Sequence, residues 1–198
     1  MQKTEMELSI LIATVDNRVN EFNALKAEFE KQAKGKPVEI VSLCDNKEMP
    51  IGTKRQRLLQ MAKGRFIVFF DDDDTPVSNY VDLILHAISH DVDCVSVRIQ
   101  MTTNGKNPQL CIHRLRCPTA GGKLAQKYQC DWIRPITHFN PVLRILALKA
   151  GFGNERYGED VLYWNRINRL VKKDYWIPDI LFHYNYSDKT PHNEKYGI

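Results

Sequence analysis

At 198 residues, 43% hydrophobic and 26% charged, the chain is long enough for one sizeable core and short for two independent domains, and its composition excludes disordered and fibrous classes. The net charge of +4 favours anionic partners, but the basic residues are spread along the chain rather than massed in a tail, which is weak support for nucleic acid. No apolar run approaches a membrane span and Met1 to Glu7 lack the apolar segment of a signal peptide, so a soluble, cytoplasmic protein with no integral membrane segment is expected.

In chain order, Leu8 to Thr14 (LSILIAT) reads as a buried strand, left through the polar loop Val15-Asp16-Asn17-Arg18. Val19, Phe22, Leu25 and Phe29 recur at helical spacing up to about Ala33, where Gly35-Lys36-Pro37 stops the helix. Val38 to Leu43 is a second strand and runs into Asp45. A helix carrying Lys54, Arg55, Arg57, Leu58 and Leu59 follows and ends at Lys63-Gly64.

The third strand, Arg65 to Phe70, is apolar enough to be buried on both faces, and Asp71-Asp72-Asp73-Asp74-Thr75-Pro76 follows at once. Four adjacent carboxylates repel unless solvent or a cation neutralises them, and in an open α/β sheet the carboxyl ends of strands are where ligands bind. The plainer alternative is a solvated acidic turn that caps a helix beginning near Val77.

A helix from Tyr80 to Ser89 and a strand from Asp93 to Ile99 complete four strand–helix alternations, which predicts a Rossmann-like, mostly parallel sheet flanked by helices. Gln100 to Pro135 has no clear period and reads as a hairpin and a mobile loop. Val142 to Leu148 is periodic again. A glycine-rich loop, Gly151 to Gly158, then leads to a helix opened by Glu159-Asp160, with Val161, Trp164, Ile167 and Val171 as its apolar stripe. The acid pair also suits simple capping of that helix. Two short β-like runs, Tyr175 to Ile177 and Ile180 to Tyr184, close the chain. Cys44, Cys94, Cys111, Cys117 and Cys130 have no CxxC spacing, so reduced core thiols are expected.

Taken together, LSILIAT, VEIVSLCDN, the basic helix ending in AKG, RFIVFFDDDD and GFGNERYGEDVLYWNRI resemble the glycosyltransferases of family 2, over roughly Ser9 to Tyr186. Asp71, Asp73 and Asp74 match the family's strand-Asp-x-Asp-Asp pattern, and Glu159-Asp160 match its later Glu-Asp pair. The resemblance implies an α/β fold of the GT-A type. Residues 8–100 would form the half that binds the nucleotide sugar, and residues 101–198 a smaller mixed half for the acceptor and the catalytic base.

It further implies a nucleoside-diphosphate sugar as donor, a UDP-sugar first among them, with Mn²⁺ or Mg²⁺ bridging the phosphates to neutralise the departing diphosphate. Asp73 is the first choice of metal ligand. Asp71 faces the ribose or a metal-bound water, and Asp74 supports from behind. Asp72, Thr14, Asp16 and Asp45 belong to the nucleotide-binding set, Asp45 either accepting from a ring N–H of the base or closing an Asx-turn with its own loop. Arg55 or Arg57 would reach a phosphate, although a solvated helix face suits each taken singly.

Family 2 enzymes typically invert by a single displacement, so Asp160 is the expected general base for the acceptor hydroxyl, with Glu159 orienting it or touching the acceptor. His183 is a candidate metal ligand, and Trp132, His138 and Trp164 are candidates for an acceptor platform. The acceptor would be a soluble or polymeric glycan, with modified DNA further down the order. Two other classes stay open. One is a phosphatase of the haloacid-dehalogenase kind using Asp71 as nucleophile and Asp73 as acid; the other is a non-catalytic sugar- or nucleotide-binding module.

Overall fold

Three strands form a parallel part of the sheet in a computed structural model that describes residues 5–186. Strands β1 (Leu8–Val15), β2 (Val38–Asp45) and β3 (Phe66–Asp71) lie parallel in the order β2-β1-β3. Register pairs Val15 with Asp45 and Ala13 with Asp71, so all three strands end together at one polar edge. Side chains alternate between faces. Leu8, Ile10 and Ile12 with Phe66, Val68 and Phe70 pack on Leu25 and Phe29 of helix α1 (Val19–Ala33). Leu11, Ile67 and Phe69 pack on Leu58 and Leu59 of helix α2 (Ile51–Met61) on the other side.

The acidic run folds into a tight turn in which the Asp74 N–H donates to the Asp71 carbonyl at 3.2 Å. Thr75–Pro76 (β4) then pairs antiparallel with a late strand, and the Val77 N–H donates to the Leu181 carbonyl at 3.0 Å. These contacts hold the segment extended, so no helix starts near Val77 as the capping alternative required, and α3 (Tyr80–Ile88) begins where the helix was expected.

Strands β5 (Cys94–Thr103) and β6 (Lys106–His113) form the expected hairpin, turning through Asn104 and Gly105, both at positive φ. The segment with no visible period holds β7 (Ala120–Gly121), α4 (Gly122–Gln126) and β8 (Trp132–Arg134), which extend the sheet beyond β6. β9 (Val142–Leu143) runs antiparallel between β3 and β5, so the parallel order expected through residue 100 is interrupted there. After α5 (Arg144–Ala150) and α6 (Glu159–Leu170) comes β10 (Asp174–Tyr186), parallel to β5. β10 is one strand where two short runs were expected, and its register shifts between Trp176 and Ile180, around Pro178, which has no N–H for the ladder.

The inward residues of α6 are Glu159, Tyr163 and Ile167, with Val171 buried at its end; Ile167 and Val171 are as expected, whereas Val161 is exposed and Trp164 half-buried. Among the cysteines, all free, Cys94, Cys111 and Cys130 are buried and Cys117 partly so, whereas Cys44 is exposed and departs from the expectation of core thiols.

Candidate active site

The turn after β3 sends its four carboxylates to different neighbours. Asp71 accepts from Arg55 Nη2 at 3.0 Å, and its other oxygen lies 4.0 Å from His138 Nε2. Asp72 is buried and accepts from Thr14 Oγ1 at 2.7 Å and from Arg18 Nη1 at 2.7 Å. Asp73, 38% exposed, meets the same Arg18 Nη1 at 3.1 Å. Asp74 is buried without a side chain to satisfy either oxygen.

These surroundings push the four groups apart. Burial raises the Asp71 carboxyl, but the charge of Arg55 and the nearby His138 outweigh it and hold Asp71 well below the usual carboxylate range. Burial, then the charges of Asp71 and Asp73, push Asp74 up to about 9 against a weak opposing contribution from the Asn185 backbone. Burial also raises Asp73, and Arg18 only partly offsets it.

Arg55 ties this turn to the second acidic cluster. Its position on α2 faces the sheet end rather than solvent, and it is only 5% exposed. One guanidinium nitrogen donates to Asp71 and the other, at 2.7 Å, to Glu159 Oε1 at the start of α6. A rigid fork suits two carboxylates at once, which a lysine could not span in this way. Glu159 therefore turns inward to an ion pair, and no side-chain cap forms at the left-handed Gly158 that precedes it. Burial raises the Glu159 carboxyl, with Arg55 opposing and Asp160 adding.

The glycine-rich loop brings α6 into place by docking on α2. The Gly52 N–H donates to the Glu155 carbonyl at 3.0 Å, Thr53 Oγ1 meets Asn154 Oδ1 at 2.6 Å, and Arg156 donates to the Lys47 and Glu48 carbonyls. A Cβ on Gly52 would lie 2.5 Å from the Gly153 carbonyl oxygen, so only glycine permits this approach. Phe152 stacks on Tyr163 at 4.3 Å and meets Phe69 edge-on, which fixes the loop to the core.

Two cavities meet at the Arg55–Asp71 pair. One, of about 490 Å³, opens at the carboxyl ends of β1 and β3 and is lined by Thr14, Arg18, Lys54, Asp73 and Tyr157 among others. The second, of about 190 Å³, lies toward β5, β6 and β8 and is lined by Glu159, Asp160, His113, Arg134, His138 and Phe139. Tyr184 of β10 borders both. His138 is buried and neither ring nitrogen has a hydrogen-bond partner among the described residues, whereas His113 Nδ1 meets Thr137 Oγ1 at 3.0 Å. Burial pushes His113 down to about 3, so it is neutral.

The geometry gathers Thr14, Arg55, Asp71, Asp72, Asp73, Glu159 and Asp160 around these cavities and leaves other expected residues outside. Arg57 is on the exposed face of α2, where a residue two positions from Arg55 must point elsewhere. Asp16 is exposed and accepts from Cys44 Sγ at 3.1 Å. Asp45 is engaged: buried Lys54 donates to one oxygen and the Met49 N–H to the other at 2.7 Å, which is the turn-closing alternative extended by a buried ion pair. Burial raises Asp45, but Lys54 and the loop amides more than compensate and lower it.

His183 pairs with Thr75 and Gln100 in the sheet and is exposed, while its neighbour Tyr184 lines the cavities. Trp132 bonds Gln109 and Trp164 bonds Asn165, both away from the acceptor-side lining, which holds only His138 of the three platform candidates. Arg18, Lys54 and Tyr184 also line the cavities and were not among the expected site residues. Arg18 had a signal, a cation in the loop leaving the first strand; Lys54 and Tyr184 had none beyond their elements.

Among the described residues no three His, Cys, Asp or Glu side chains converge as a ready metal cage. The donor set fits a narrower case. Mg²⁺ takes one or two carboxylates and completes its shell with waters and substrate phosphates, and half-exposed Asp73 on the cavity wall offers one.

The sequence matches no family model and no curated protein. Its fold does match solved structures of S. aureus TarS. Residues 1–349 of TarS in complex with UDP superpose with a TM-score of 0.64 at 16% identity, covering 92% of this chain and 61% of that one. TarS 1–349 in complex with UDP-GlcNAc gives 0.62 at 15%, covering 91% and 59%. A further TarS structure gives 0.62 at 15%, covering 93% of this chain and 37% of that one. The chain thus spans about three fifths or less of the length of these structures. With the parallel β2-β1-β3 core, the acidic turn at its carboxyl edge and the mixed second half in hand, this likeness shows a mixed α/β fold of the GT-A type.

Proposed function

We propose that this chain is a glycosyltransferase that moves a sugar from a nucleoside-diphosphate sugar to an acceptor hydroxyl with inversion. The observation that carries the reading is the Arg55 bridge: Asp71 and Glu159, far apart in sequence, are held on one guanidinium, with a cavity on each side of it. The larger cavity suits the donor, since Arg18 and Lys47 supply positive charge for a diphosphate and Tyr157 and Tyr186 an aromatic face for a base. TarS structures in complex with UDP and with UDP-GlcNAc support a uridine nucleotide as the first choice.

The smaller cavity suits the acceptor, a soluble or polymeric glycan. Asp160, half-buried on its wall, takes the proton from the acceptor hydroxyl as that oxygen bonds to the anomeric carbon and the bond to the diphosphate breaks. Glu159 keeps Arg55 in place, and His138 is within the same cavity to orient the hydroxyl. Asp73, with Asp74 behind it, would hold Mg²⁺ or Mn²⁺. Such an ion would neutralise charge developing on the leaving diphosphate. Among the described residues no helix is long and apolar enough to cross a membrane.

The test is calorimetric binding of UDP with Mn²⁺, followed by UDP release from a panel of UDP-sugars with candidate glycan acceptors. Asp160→Asn should bind UDP as the wild type does and lose transfer by about a hundredfold or more. Transfer at the wild-type rate in that variant would exclude Asp160 as base, and absence of nucleotide binding by the wild type would exclude the donor reading.

A further inference from the structure

The acidic turn carries its own counter-charge. Arg18 sits at the junction of the turn Asp16–Arg18 with α1, and a single guanidinium nitrogen reaches Asp72 at 2.7 Å and Asp73 at 3.1 Å. The two aspartates differ in how firmly they are held. Asp72 is buried and has a second bond from Thr14, whereas Asp73 and Arg18 are 38% and 45% exposed on the donor-cavity wall. The Arg18–Asp73 contact is thus the replaceable one, and Arg18 has open cavity beside it in which to move.

We propose that Arg18 is a donor-binding residue that occupies the cation position at Asp73 in the free protein and passes to the diphosphate when a divalent ion arrives with the nucleotide. The inference rests on the nucleotide-sugar reading of the donor cavity. A guanidinium and a divalent ion compete for the Asp73 carboxylate charge, so metal alone must take Asp73 from Arg18, which then keeps only Asp72, and gains little. Metal with a diphosphate offers the displaced guanidinium new oxygens, to which its fork is well matched. Metal and nucleotide therefore strengthen one another's binding, and because coupling is reciprocal the same factor appears in both affinities.

Free Mn²⁺, read by its paramagnetic resonance signal, tests this without any turnover. In the wild type Mn²⁺ alone should bind weakly, and saturating UDP should tighten it about tenfold or more. Arg18→Gln should bind Mn²⁺ alone about tenfold more tightly than the wild type while losing about tenfold in UDP affinity, so that the coupling collapses. Arg18→Lys, which keeps the charge, should restore weak metal binding in the absence of nucleotide; if it binds Mn²⁺ as tightly as Arg18→Gln, loss of packing rather than charge is at work and the proposal fails. Equal Mn²⁺ affinity in the wild type and Arg18→Gln overturns it as well. The two failures are separable: a wild type that never binds UDP removes the donor reading, while the Mn²⁺ comparison alone decides whether Arg18 competes with the ion.

Discussion

Asp74→Asn replaces a buried carboxyl, which no side chain satisfies, by a neutral group of the same shape. The folded protein holds the Asp74 proton up to about 9, whereas an unfolded chain releases it near pH 3.9. A raised carboxyl means that the fold accommodates the protonated form: its contribution is complete below about pH 4 and is lost as the pH climbs toward about 9. At about 1.36 kcal/mol per unit, the three units between the unfolded value and pH 7 set a ceiling of about 4 kcal/mol for the loss at neutral pH. The asparagine does not titrate. The variant should therefore match the wild type near pH 4 and exceed it by about 2–4 kcal/mol at pH 7, a gain of several degrees in Tm for a chain of this size. Urea unfolding of both proteins at intervals between about pH 4 and pH 9 gives the two curves. Parallel curves would refute the reasoning, because they would mean that the Asp74 carboxyl ionises in the fold as easily as out of it.

Arg55→Met leaves buried Glu159 and partly buried Asp71 without their common cation, and breaking the buried Glu159 pair should cost about 3 kcal/mol in denaturant unfolding. Adding Glu159→Gln to that variant should recover part of the loss; strict additivity of the two changes would show that they do not share one ion-pair network. Gly52→Ala forces a Cβ to 2.5 Å from the Gly153 carbonyl oxygen, so it should lower stability by about 1–3 kcal/mol and expose the glycine-rich loop to limited proteolysis. An unchanged cleavage pattern would show that the loop does not depend on this contact.

How much of this was legible beforehand depended on whether a signal was local. The apolar runs Leu8 to Thr14 and Phe66 to Phe70 are legible from their own residues, and each proved a central strand, the second with the acidic turn at its carboxyl end. The α6 stripe held at Ile167 and Val171 but not in the first turns, because periodicity counts apolar residues and the residue that turns inward at the start of α6 is Glu159, held by Arg55 from a different helix. Likewise Arg55 and Arg57 look alike in sequence, and only packing of α2 on the sheet buries one and exposes the other. Asp45 read equally well as a base contact or a turn residue, and Lys54, buried beneath it, engages it.

The amino-acid order by itself determined the strand–helix alternation of the first half, the acidic run at the end of a buried strand and the carboxylates that open α6, since backbone preference and apolar spacing act over a few residues. Tertiary structure alone decided that one guanidinium joins the two acidic clusters, that four neighbouring aspartates have four different environments, and that β9 interrupts the parallel order. These depend on electrostatics and hydrogen bonds between residues far apart in the chain, which no local pattern encodes.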